Sequence, residues 1–144
     1  MAETESKSSL SMFALIPFAL TIFWGAFLLF LIQPLIGKYI LPWFGGTPGV
    51  WTTCLLFFQT LLLGGYAYAH CLNYFMPIRK QIIIHGVLLC IAVITLPITP
   101  DESLKPTGDG SPTFQILVLL TFSIGLPYLV LSATGPLVQA WFAK

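Results

Sequence analysis

From Met12 to Phe44 the chain carries a single charged residue, Lys38, in an otherwise apolar run. No soluble fold can hide a stretch of that length, and a bilayer can. Three further apolar runs follow, each bounded by turn-forming or charged residues. Together they predict an all-α integral membrane bundle of four transmembrane helices, with spans at about 12–32, 50–72, 81–96 and 113–131. Composition agrees. Of 144 residues 57% are hydrophobic and only 8% charged, against roughly 25% charged in soluble domains. The net charge of +1 leaves no electrostatic footprint for nucleic acid.

The joints are readable. Pro34, after Gln33, removes a backbone donor, so the first helix is expected to kink there and continue as a short interfacial helix. Gly45-Gly46-Thr47-Pro48-Gly49 is a turn. A short polar link at 73–80 joins spans two and three, and an outer loop at 97–112 joins spans three and four. Ser132 to Pro136 reads as the end of the fourth span. Residues 1–11 form a polar tail, and 12–144 a single transmembrane domain. The tail is poorly basic and the apolar run after it overlong, so a retained helix is expected rather than a cleaved signal. Four crossings place Lys7, Arg79, Lys80 and Lys144 on one side. The positive-inside rule makes that side the cytoplasm, with both termini in it.

Candidate chemistry is sparse. Thr52, Gln59, Tyr66 and His70 fall within about 40° on one face of span two. Polar groups at membrane depth face protein or water, so this face lines a pathway or packs against other helices. Thr121, Tyr128 and Ser132 form a weaker stripe on span four, beside Pro127. Gln33 suggests a site or a packing clamp. Lys38 holds an anionic group or snorkels to the interface. His70 and His85, at the ends of a helical hairpin, are the only candidates for haem or a metal, and nothing in their spacing demands either. No cofactor and no metal site is expected. Cys54, Cys71 and Cys90 form no CxxC pair. Nucleotide loops, HExxH and a nucleophile elbow are absent. All five acids lie in the tail or the outer loop, which disfavours a carrier that needs an intramembrane carboxylate.

One stretch is distinctive: Phe30 through Gln33-Pro34, Lys38 and Trp43-Phe44-Gly45-Gly46-Thr47-Pro48, then Trp51-Thr52-Thr53-Cys54 to Gln59, then Gly64-Gly65-Tyr66-Ala67-Tyr68-Ala69-His70. With Leu131 to Phe142 it resembles the membrane half of the bacterial spermidine-synthase-like proteins, the fused transporter-fold/spermidine synthases. The resemblance covers residues 30–70 and 126–142. It implies a bacterial inner-membrane location. In that family a soluble synthase domain with its cofactor loop follows the membrane half. These 144 residues reach Lys144 without one, so no catalysis by this chain alone is expected. The expected role is a non-catalytic accessory or structural subunit, in contact with the bilayer and with other membrane subunits or further copies of itself. The alternatives are a transporter-like module for a small polar or amine solute, and a membrane anchor for a separate aminopropyltransferase-like chain.

Overall fold

A computed structural model describes residues 2–98, 100 and 111–143, with side chains from Leu15 onward. Among the described residues every regular element is helical. Helix α1 spans Ala2–Ile40 and passes into a 3₁₀ turn, Leu41–Phe44. Helix α2 spans Pro48–Phe75, α3 Ile78–Ile94, α4 Pro112–Leu120 and α5 Leu126–Phe142. A π-helical turn, Thr121–Gly125, joins α4 to α5, so the chain from Pro112 to Phe142 is one continuous rod.

Among the described residues three helices are long and apolar enough to cross a membrane: Leu15–Phe44, Pro48–Phe75 and Pro112–Phe142. Helix α3 has 17 residues, about 25 Å of rise, against a hydrocarbon core of about 30 Å.

Pro34 lies within a continuous helix, and the break expected at Ser132 to Pro136 is absent. Helix α1 runs through Pro34 to Ile40. A proline deletes one hydrogen bond, and the apolar turns around it have no better place for their backbone groups than the helix. The expected interfacial helix shrinks to the 3₁₀ turn. Gly45 and Gly46, at φ 79° and 66°, then reverse the chain in a conformation that side chains resist. Likewise Pro136 lies inside α5, which runs on to Phe142 rather than ending at Leu131. Most of the expected outer loop lies outside the described residues.

The core is the contact of α2 with the Pro112–Phe142 rod. Cys54 and Phe58 of α2 pack with Leu120, Ile124 and Tyr128, and Ile36 and Ile40 of α1 close the same cluster. Nearer the other end, Ala69 and Leu72 meet Ala133 and Leu137. Gly65 permits the approach, because a Cβ there would overlap Ser132 Oγ and press on the Leu129 carbonyl. Helix α1 lies against α5 but keeps its most apolar window outside the core, with Phe23 and Phe30 61% and 75% exposed.

Candidate functional site

The polar residues expected on one face of α2 all lie on its exposed side. Thr52, Gln59, Tyr66 and His70 are all exposed, across the helix from Cys54, Phe58 and Gly65, which are buried. Thr52 satisfies itself on the Pro48 carbonyl at 3.1 Å. Gln59 does not. Its amide makes no hydrogen bond among the described residues, and it sits ~4 Å from the midpoint of α2 by helical rise.

Toward the far end this face borders a cleft between α1, α2 and α5. One cavity of about 350 Å³ is lined by Gly25 and Ala26 of α1, Tyr66 of α2, and Ser132, Gly135 and Gln139 of α5. A second, of about 340 Å³, is lined by Tyr66, His70, Asn73 and Pro136. Tyr66 and Pro136 border both. The glycines leave the first cavity open, since a Cβ at Gly25 or Gly135 would meet nothing within 4 Å. Pro136 also gives no N–H to the Ser132 carbonyl, one turn earlier in the helix. Ser132 Oγ donates to the Leu129 carbonyl at 2.7 Å and so presents only lone pairs elsewhere. The cleft therefore offers hydroxyl, amide and imidazole groups at membrane depth, and no described carboxylate or ammonium lines it.

The stripe expected on span four is divided. Tyr128 and Ser132 are buried, but Thr121 is exposed and bonds back to the Leu117 carbonyl at 2.7 Å. The π-helical turn is the reason, because its wider winding rotates everything after it relative to a uniform α-helix. Gln33 is a clamp: its Nε2 donates to Tyr128 Oη at 2.8 Å, and the Tyr128 ring lies 4.9 Å from that of Phe58. Lys38 is exposed at the other end of α1, on an apolar hollow.

The two histidines do not converge. His85 is buried, its ring 6.1 Å from Tyr68 and its Nε2 3.1 Å from Thr134 Oγ1. His70 lies about 160° around α2 from Tyr68, stacked on Tyr74. The hairpin gives them comparable depth but different faces. No group of three or more metal-binding side chains occurs among the described residues. Thr134 commits its own proton to the Val130 carbonyl at 2.9 Å, so it accepts from His85 Nε2–H. His85 Nδ1 is then an acceptor, buried and without a partner, as is Tyr68 Oη.

Beside this pair lies a polar lock that the sequence reading missed. Gln81, wholly buried, donates to the Met76 carbonyl at 2.7 Å and accepts from Trp141 Nε1 at 2.8 Å. It ties α3 to the end of α5. The available signal was the spacing of Gln81 and His85, one helical turn apart on a helix that is otherwise apolar after Lys80.

No protein-family model matches the chain, and no curated protein or solved structure matches it. The fold itself defines the class: a helical membrane protein, with three helices among the described residues long and apolar enough to cross a bilayer.

Proposed function

We propose that this chain is a non-catalytic membrane subunit that completes its packing against further transmembrane helices through the outward face of α2. Gln59 carries the reading. A glutamine near the middle of a span, exposed and without a partner among the described residues, costs free energy against lipid tails. Interhelical hydrogen bonds remove that cost. The exposed aromatic surface of α1 supports the same role. The resemblance of residues 30–70 and 126–142 to the membrane half of spermidine-synthase-like proteins supports a location in the bacterial cytoplasmic membrane. Helix α3 then serves as a fourth, short crossing, with both termini in the cytoplasm.

Extraction in mild detergent followed by native mass spectrometry tests the role. The expected result is a complex of fixed stoichiometry that Gln59→Leu dissolves while the chain stays folded. A wild-type chain that runs alone overturns the proposal, and so does a complex indifferent to Gln59→Leu.

A second reading has its own observation, the cleft around Tyr66, Ser132 and Gln139. A transporter-like module would bind a small polar solute there. Gly135→Leu fills the cavity and would abolish such binding without touching Gln59.

A further inference from the structure

The exposed side of α2 carries a second period besides its polar one. Thr52, Leu56, Gln59, Leu63, Tyr66 and His70 follow one another at steps of four, three, four, three and four residues. All six are exposed, Leu56 by 60% and Leu63 by 69%. At 100° per residue they stay within about 80° of one another, on the side of the helix away from the buried Cys54, Phe58 and Gly65. The run is ~27 Å long by helical rise, against a hydrocarbon core about 30 Å thick.

Alternating steps of three and four are the mark of a seam between supercoiled helices. A straight helix drifts by only ~20° per heptad along such a seam, and a left-handed supercoil absorbs the drift. Lipid tails impose no such period, and polar groups recurring every seventh residue, at Thr52, Gln59 and Tyr66, are a cost against them. Between two helices the same residues form one class of layer, and Leu56 and Leu63 form the other.

We propose that the occupant of this seam is α2 of a second copy of this chain, parallel and in register. The inference names the partner in the role proposed above and rests on that reading. Copies of one chain enter the membrane in one orientation, so a two-fold axis along the membrane normal relates them. Each seam residue then meets its own counterpart at the same depth. These residues tolerate that. None of the six is Lys, Arg, Asp or Glu, so no permanent charge faces its own kind. The leucines interdigitate. A glutamine amide both donates and accepts, so Nε2–H of each Gln59 reaches Oε1 of the other. A single polar layer of this kind fixes the register of a heptad seam. An unrelated helix would need its own amide at the depth of Gln59. A second copy brings one there by symmetry.

The test co-expresses two full-length versions of the chain with different affinity tags. Capture through one tag should retain the other version. Oxidation in intact membranes should link copies through Leu56→Cys or Leu63→Cys, each made in a chain that also carries Cys71→Ser and Cys90→Ser. Thr60→Cys in the same chain, and the native Cys71 in a chain carrying Cys90→Ser, should stay unlinked, since both lie on exposed positions ~80° and ~100° off the seam. Gln59→Leu should weaken association at least about fivefold, the worth of an interhelical hydrogen bond, and Gln59→Asn, which keeps an amide, should weaken it less. A complex of fixed stoichiometry that holds one copy of this chain among other chains overturns the second-copy proposal and leaves the subunit role standing. Equal cross-linking on and off the seam overturns the proposal too, and that comparison leaves Gln59 in place. A chain that runs alone, or an association indifferent to Gln59→Leu, overturns both.

Discussion

Gln33 and Tyr128, 95 positions apart in sequence, meet through a 2.8 Å hydrogen bond from the amide Nε2 to the phenol oxygen. The pair joins α1 to α5 at a point where Tyr128 is fully buried and packed on Phe58. Helix α1 otherwise shows most of its surface to the outside, so this bond and the Ile36 and Ile40 contacts hold it in place.

Tyr128→Phe keeps the ring and deletes the acceptor. Stability in a detergent unfolding titration should fall by about 1 kcal/mol, within the range measured for interhelical hydrogen bonds in membranes. Gln33→Leu should cost a similar amount, and the double variant little more than either alone, because both remove one interaction.

Neighbouring glycines in α2 should behave oppositely. Gly65→Ala drives a methyl into Ser132 Oγ and the Leu129 carbonyl, and overpacking of that kind costs about 1–3 kcal/mol. At Gly64 the nearest atom, on Leu129, is 3.8 Å from an added Cβ. Gly64→Ala should leave the melting temperature nearly unchanged or raise it. Ser132→Ala should rescue Gly65→Ala only in part, since the backbone carbonyl remains.

Trp141→Phe leaves the buried Gln81 Oε1 without its donor. An unsatisfied buried acceptor costs about 1–3 kcal/mol, and the loss should be local. Hydrogen exchange should quicken in α3 and in the last turns of α5, and stay slow at Phe58 and Leu120. Uniform protection across the chain would contradict the lock described here.

If α3 crosses the membrane, reporters fused before Met1 and after Lys144 read out the same side. Reporters on opposite sides would mean that only the three longer helices cross. Removing Arg79 and Lys80 together should weaken the preferred orientation, because they are the basic residues of the first turn of α3.

Much of the site was legible because helical geometry is local. Thr52, Gln59, Tyr66 and His70 share a face of α2 whatever surrounds it, since 100° per residue accumulates the same way in any straight helix. The same arithmetic failed for Thr121 against Tyr128 and Ser132, because a π-helical turn lies between them and no residue type there announces it. Pro136 misled for a related reason. A proline removes one hydrogen bond, but away from water an apolar helix has nothing to gain by ending there.

The sequence by itself determined that the chain is helical, that it belongs in a membrane, and which polar residues share a face of α2. Those properties depend on hydropathy and on the period of one helix. Only the tertiary structure decided that Gln33 clamps Tyr128, that Gln81 and His85 are buried while Gln59 and His70 are not, and that Tyr66, Ser132 and Gln139 border one cavity. Those outcomes depend on which helix faces meet. In a uniformly apolar chain the meeting is set by fine packing, such as the missing Cβ of Gly65, and not by a hydrophobic pattern that a sequence displays.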